Sequence, residues 1–332
     1  FAKKPRFQGG GSSHINSYRP TNAYDSVPLG ASVDYVEGYS LSDADDQLLL
    51  RRELVEKARK YHKVVAFIGL PDEYESEGYD RAHLRLPQQQ LDMINDLAQL
   101  TCKIIVVLHN GSPVELPFAS EVEGIIEAYL GGEAVGEAVS DILYGKVNPS
   151  GRLAESFPVK LQDTPTYLTY GKEKENVSYH EGIFVGYRYY QSKEIAVQYP
   201  FGYGLSYTSF SYDNVKVLTE PDKDTFKVSV SVSNTGDILG KEVVQLYIQA
   251  QDPQISRPYR ELKAFEKIML EPGQTQEVTF NLSYDIFNHW SNEQQAWQRE
   301  GGVYDIVFGK NVEDKQLSAT IAVEALNNRK NY

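Results

Sequence analysis

Carboxylates crowd the segment that follows an apolar run in the first third of the chain. Asp72, Glu73, Glu75, Glu77 and Asp80 lie within nine residues of one another. Repulsion between them raises the pKa of at least one carboxyl if the segment is partly desolvated, and such a carboxyl can act as a general acid near neutral pH. Two other interpretations remain open from composition alone, a solvated acidic loop and an adventitious cation site. The oxygen spacing does not match a calcium-binding EF-hand loop, so no metal site is predicted.

The elements around this acidic segment predict a mostly parallel sheet covered by helices, because β-branched apolar runs alternate with amphipathic segments. In an open α/β sheet, ligands bind beyond the carboxyl ends of the strands, which is where the acidic segment lies. The predicted strands are 32–36, 63–70, 103–109 and 124–130; the predicted helices begin near Ser42, with Asp43, Asp45 and Asp46 at the start, at Pro87 and at Gly131.

The second half of the chain predicts an all-β domain. Strict apolar–polar alternation in 226–232 and 242–248, with turn residues between such runs, is typical of a β-sandwich of the immunoglobulin or fibronectin type III kind. The predicted fold class is therefore an α/β three-layer domain followed by this sandwich. We expect the α/β domain at 1–160, a connecting segment at 161–205 and the sandwich at 206–326.

Composition and charge narrow the classes of partner. The 332 residues carry a formal net charge of −13, which repels nucleic acid and anionic membranes, so neither is expected as a partner. Cys102 is the single cysteine, which excludes an internal disulfide framework. The opening residues contain neither an initiator Met nor an apolar signal-peptide core, so we expect the sequence to begin inside a longer protein. One cysteine and the acidic, signal-free sequence favour the cytoplasm.

Six motifs occur in order along nearly the whole chain. They are Gly9-Gly10-Gly11-Ser12-Ser13, Glu77-Gly78-Tyr79-Asp80-Arg81, His109-Asn110-Gly111-Ser112-Pro113, Asn148-Pro149-Ser150-Gly151-Arg152, Pro200-Phe201-Gly202-Tyr203-Gly204 and Glu242-Val243-Val244-Gln245-Leu246-Tyr247. This order resembles that of glycoside hydrolase family 3, from the family's C-terminal α/β domain to its fibronectin type III-like domain.

The resemblance implies a retaining, exo-acting β-glycosidase, most often a β-glucosidase, in which two carboxyl groups flank the scissile bond. The family's nucleophilic aspartate lies on an N-terminal (β/α)8 barrel, and this sequence contains no such domain. The implied partners are that barrel and a β-glucoside or β-xyloside substrate, with no cofactor. We expect the isolated chain to be inactive. The alternative is a free-standing, non-catalytic carbohydrate-binding or structural module.

By motif, Glu77 matches the family's general acid/base, which the α/β domain holds over the barrel mouth. Glu75 is the reserve candidate. The resemblance also implies that Asp80 and Arg81 orient the loop through an ion pair.

Three aromatic side chains are candidates for contact with the substrate. Tyr74 and Tyr79 flank the proposed acid/base. His109 ends the third predicted strand, where it is a candidate for the aglycone side of the cleft, although a histidine satisfied by backbone groups is the commoner case.

Overall fold

The computed structural model describes residues 1–42, 45–220 and 224–327. The chain forms two compact units. The first unit contains residues 1–147 and 158–161, and the second unit contains residues 148–157 and those from 162 onward. No helix within the described residues is long and apolar enough to cross a membrane.

A parallel sheet of three strands forms the centre of the first unit, which confirms the predicted fold class. β1 (Lys63–Gly69), β2 (Lys103–His109) and β3 (Gly124–Glu127) lie in that order, with β2 in the middle. Val106 and Val107 on β2 are fully buried, because both faces of the central strand are covered.

Three helices accompany the sheet: α1 (Gln47–Ala58), α2 (Gln88–Ala98) and α3 (Val135–Leu143). α1 begins later than predicted, because the Asp46 carboxylate caps it by accepting a hydrogen bond from the Leu49 N–H at 3.0 Å. Asp43, also placed at this helix start from the sequence, lies outside the described residues. α2 begins directly after Pro87, as predicted, and buries Ile94 and Leu97.

The predicted strand at 32–36 is wrong, since the structure contains no strand there. Side-chain contacts rather than backbone pairing hold this segment. The Tyr35 ring packs edge-on against Tyr24, with ring centroids 5.5 Å apart, and the Lys3 ammonium lies 3.8 Å from its centre. A cavity of about 690 Å³ is lined by residues 32–41 on one side and 63–67 of β1 on the other.

The second unit contains the predicted sandwich. One sheet has the strand order β10 (Thr275–Ser283), β7 (Thr225–Asn234), β6 (Phe210–Glu220). The other has the order β14 (Leu317–Val323), β13 (Gly302–Gly309), β8 (Gly240–Ala250), β9 (Glu261–Leu270). Their inner faces share one apolar core that includes Phe226, Val230, Leu246 and Phe308. A smaller sheet contains β11 (Asn288–Ser291), β12 (Ala296–Arg299) and β15 (Leu326–Asn327).

The segment predicted as a connector, 161–205, lies almost entirely within the second unit, together with 148–157. It contains α4 (Tyr187–Ser192) and β5 (Val197–Tyr199), and β5 pairs with the short β4 (Phe157–Pro158). The Arg152 guanidinium donates to the Glu242 carboxylate at 2.9 Å, and both side chains are buried. The Leu153 N–H donates to the Tyr203 carbonyl at 2.9 Å. These contacts make 148–157 part of the sandwich unit.

Candidate active-site loop

The carboxyl ends of β1 and β2 lie side by side and start two neighbouring loops, 70–87 and 110–116. Gly69 pairs with His109, and a Cβ on Gly69 would collide with the His109 carbonyl group. The buried Gln90 side chain accepts from the Gly69 N–H at 3.0 Å and donates to its carbonyl at 2.9 Å. The end of β1, from which the acidic loop departs, is therefore fixed on both sides.

Arg6 holds the first half of the acidic loop. This guanidinium is buried and donates to the Asp72 carboxylate at 2.8 Å, the Glu75 carboxylate at 2.7 Å and the Glu75 carbonyl at 2.8 Å. It also donates to the Leu70 carbonyl at 3.2 Å. Five donors in a rigid planar fork suit a residue that must bind several acceptors at once.

Glu75 joins the two loops. Its carboxylate accepts from the Gly111 N–H at 2.7 Å and from the Ser112 hydroxyl. Burial on its own raises the pKa of Glu75, but the hydrogen bonds from Ser112, Gly111 and Arg6 outweigh it, so the pKa lies below its usual value. The donors therefore hold Glu75 in its ionised form.

Glu77 lies two residues further along and is exposed. Its Oε2 accepts from the Ser12 hydroxyl at 2.5 Å and from the Ser12 N–H at 2.6 Å. These two hydrogen bonds, the hydroxyl first, lower the pKa of Glu77. The expectation that repulsion in the acidic loop raises the pKa of a carboxyl is thus wrong for Glu75 and Glu77 in this structure, because both accept several hydrogen bonds.

The glycine-rich loop 9–13 packs directly against Ser76 and Glu77. A Cβ on Gly10 would lie 2.7 Å from the Ser76 hydroxyl oxygen. Gly11 has φ +95°, and a Cβ there would collide with the Glu77 side chain. Glycine is required at Gly11 because the two loops approach so closely there and because φ is positive.

The other candidate residues of the loop contact groups other than the Glu75 and Glu77 carboxylates. The Tyr79 hydroxyl donates to the Asp72 carbonyl at 2.8 Å, while half of the residue stays exposed. The Tyr74 ring contacts the edge of His83. The Arg81 guanidinium donates to the Ser112 hydroxyl at 2.9 Å and the Pro113 carbonyl at 3.0 Å. Arg81 thus orients the neighbouring loop, whereas its ion pair with the exposed Asp80 stays a prediction.

His109 is buried, with 2% of its surface exposed. Its ring stacks on Phe1, with centroids 5.7 Å apart, and on Phe67 at 6.3 Å. Burial lowers the pKa of His109 to about 4. This environment favours a neutral, packed histidine over contact with a substrate.

The arrangement presents an exposed carboxylate, Glu77, on a loop anchored by a second one, Glu75. An exposed carboxylate held through one oxygen can exchange a proton through the other, which is general acid/base chemistry. Among the residues that the structure describes, no group of three or more His, Cys, Asp or Glu side chains is arranged to hold a metal ion.

Sequence reasoning did not identify Arg6 as an anchor or Ser12 as a partner of Glu77. Both lie more than 60 positions from the groups they bind. The glycines at 9–11 were the available signal, because a run of residues without side chains indicates close packing against something else.

Two family models match this chain. Residues 1–207 match the glycosyl hydrolase family 3 C-terminal domain, and residues 242–312 match a fibronectin type III-like domain. The chain is 44% identical to the thermostable β-glucosidase B of Acetivibrio thermocellus and 38% identical to an exo-α-(1→6)-L-arabinopyranosidase of Bifidobacterium breve. Each match covers 98% of this chain but only 44% and 43% of the relative, respectively. The chain thus spans less than half the length of these curated relatives.

Solved structures of β-glucosidases also match this chain. The crystal structure of a GH3 β-glucosidase from Bifidobacterium adolescentis matches 98% of this chain and 48% of its own, with a TM-score of 0.93 and 38% identity. The β-glucosidase 3B of Thermotoga neapolitana in complex with glucose matches 96% of this chain and 48% of its own, with a TM-score of 0.85 and 30% identity.

Proposed function

This chain belongs to glycoside hydrolase family 3, and from that premise we propose that it supplies the general acid/base, Glu77, of a retaining β-glycosidase. The observation that supports Glu77 over Glu75 is their difference in environment. Glu75 is held by Arg6, Gly111 and Ser112 inside the first unit, whereas Glu77 is exposed and bound through Oε2 alone. A residue that exchanges protons with a substrate needs an accessible oxygen.

In this proposal Glu77 acts twice. It first gives its proton to the glycosidic oxygen as the bond to C1 breaks and the nucleophile's carboxylate bonds to C1. It then takes a proton from the water whose oxygen attacks C1, which releases the nucleophile. The nucleophilic aspartate belongs to an N-terminal barrel, consistent with the half of each relative that this chain does not span. The 332-residue chain, with one of the two carboxyl groups, is expected to be inactive alone.

The proposed role requires Glu77 to carry a proton before the first step. Hydrogen bonds from Ser12 lower the pKa of Glu77 in this structure. Covering the carboxyl with a sugar and a barrel desolvates it, which raises its pKa and favours the protonated form. Substrate binding therefore prepares the acid.

The proposed substrate is a small pyranoside, a β-glucoside or β-xyloside. The names of the relatives support the β-glucoside and add a further class of substrate, the α-L-arabinopyranoside. One relative is a β-glucosidase and another is an exo-α-(1→6)-L-arabinopyranosidase. We place the β-glucoside first because the more similar curated relative and the solved structures carry that name. Aryl β-glucosides, β-xylosides and α-L-arabinopyranosides assayed side by side distinguish the classes.

Glu77→Gln in the complete protein tests the assignment. We expect kcat/KM on an unactivated β-glucoside to fall by about 10²- to 10⁴-fold, because no proton reaches the leaving group. Azide is expected to restore turnover of a dinitrophenyl β-glucoside by attacking the glycosyl-enzyme without needing a base, and to yield the β-glucosyl azide.

Glu75→Gln is the matched control, two residues away on the same loop. We expect this variant to hold the loop less firmly, because Glu75 loses its charge, and we expect azide not to restore its turnover. Glucosyl azide from the Glu75 variant and none from the Glu77 variant would transfer the role to Glu75. Unchanged turnover in both variants would show that the general acid/base is neither Glu77 nor Glu75.

A further inference from the structure

Both hydrogen bonds that Glu77 receives arrive at the same oxygen. The Ser12 hydroxyl and N–H donate to Oε2 at 2.5 and 2.6 Å. No other described residue donates to this carboxylate, so Oε1 is left for exchange with solvent or substrate. The two oxygens of one carboxylate therefore have different surroundings.

The position of Ser12 is set by the backbone before it. Gly10 lies against Ser76, and Gly11 adopts φ +95° with the Glu77 Cβ in the space that its own side chain would need, so no larger residue fits at Gly11. The Gly11 carbonyl also accepts from the His14 N–H at 3.1 Å, which closes the loop on itself. Ser12 thus meets Glu77 from a tightly packed turn.

We propose that Ser12 is a positioning residue that binds Oε2 of Glu77 and thereby makes Oε1 the oxygen that carries the exchanged proton. This inference rests on the proposed function of Glu77. The contact suits both protonation states, because Oε2 remains an acceptor when the proton resides on Oε1. It is stronger to the ionised form, since hydrogen bonds to a charged acceptor are stronger than neutral ones. Ser12 therefore also controls how readily Glu77 gives up its proton.

The first test is the pH dependence of kcat/KM for the complete protein carrying Ser12→Ala. The first chemical step requires protonated Glu77, so the alkaline limb reports its pKa. Losing the hydroxyl removes one bond to the ionised form, and the limb is expected to move up by about half a pH unit. Ser12→Thr, which keeps a hydroxyl, is expected to return the limb toward its original position. Ser13→Ala is the matched control, expected to leave the limb in place.

The second test measures the carboxyl directly. Carbon-13 NMR titration of Glu77 in the 332-residue chain is expected to give a higher pKa in Ser12→Ala than in the unmodified chain or in Ser13→Ala. An unchanged pKa overturns the role of Ser12, whatever the activity.

The two tests separate the inference from the function on which it rests. If Ser12→Ala shifts the Glu77 pKa by NMR but leaves the alkaline limb in place, Ser12 does not position the acid/base and the proposal fails. If Glu77→Gln also retains full activity, the proposed function fails with it. Movement of both the NMR pKa and the limb supports the proposal.

Discussion

Glu75 and Glu77 are chemically identical side chains two residues apart, and their surroundings suit them to the different roles that we propose. Glu75 is largely buried and bridges Arg6 to the turn at Gly111, so its charge is satisfied inside the unit. Glu77 is exposed and bound by Ser12 alone among the described residues. A buried carboxylate with several donors is suited to holding a loop, and an exposed one to exchanging protons.

Replacing Arg6 with Met tests the anchoring role. The substitution leaves the Glu75 carboxylate partly buried without its cation, so we expect the first unit to lose about 3 kcal/mol of stability. Arg51→Met is the matched control, because Arg51 pairs with Asp92 and Asp96 in a more exposed position and is expected to cost about 1 kcal/mol or less. Denaturant unfolding of the 332-residue chain measures both. Equal losses in the two variants would contradict an anchoring role for Arg6.

At the residue scale, the sequence indicates which side chains are candidates for the site but not which groups they contact, and the catalytic role of Glu77 stays a prediction. Glu77 follows from the order of motifs around it, and Glu75 from its place in the same run. The contacts of Arg6 and Ser12 could not be predicted, because hydrogen bonds between residues more than 60 positions apart leave no local spacing to detect. The predicted rise in carboxyl pKa was wrong for Glu75 and Glu77 for the same reason, because those distant donors lower both pKa values.

At the scale of elements, the candidate site lies where two parallel strands end side by side. Gly69 and His109 are paired at the ends of β1 and β2, and the loops that follow contact each other through Glu75 and Arg81. Periodicity predicted β1, β2, the start of β3 and the helix after Pro87, because their buried faces require regular apolar spacing. It failed at 32–36, where Tyr35 packs through its ring against Tyr24 and Lys3 without backbone pairing. The alternation of apolar and polar residues shows which side chains can be buried, but it does not show whether a neighbouring strand is available for backbone pairing.

Gly69→Ala tests whether this junction of strands positions the loop. The added methyl group would meet the backbone carbonyl of His109, which has no room to move within the sheet. We expect a loss of stability of about 2–4 kcal/mol, together with weaker activity of the complete protein.

The control for this junction is Gly124→Ala on β3, where an added methyl group meets nothing within 4 Å. It is expected to change stability by about 0.5 kcal/mol or less. Thermal unfolding of both variants measures the difference. A Gly69 variant as stable as the Gly124 variant would show that the strand ends tolerate displacement.

At the scale of the whole molecule, the chain contains two units. Their boundaries differ in detail from those that the sequence pattern predicts. Most of the predicted connector belongs to the sandwich unit, and so do residues 148–157, which the buried pair of Arg152 with Glu242 joins to it. That pair joins residues 90 positions apart, so local patterns could not predict it. The proposed reaction needs a second carboxyl group from outside this chain, so its tests belong in the complete protein.

The most direct measurement is the dependence of kcat/KM on the leaving group, for the complete protein and its Glu77→Gln variant, across aryl β-glucosides whose phenols differ in pKa. With Glu77 protonating the departing oxygen, the unmodified protein is expected to depend only weakly on the phenol's pKa. Without that proton the phenol departs as an anion, so the variant is expected to lose activity steeply as the phenol becomes more basic. Equal slopes for the two proteins would contradict the assignment of Glu77 as the general acid.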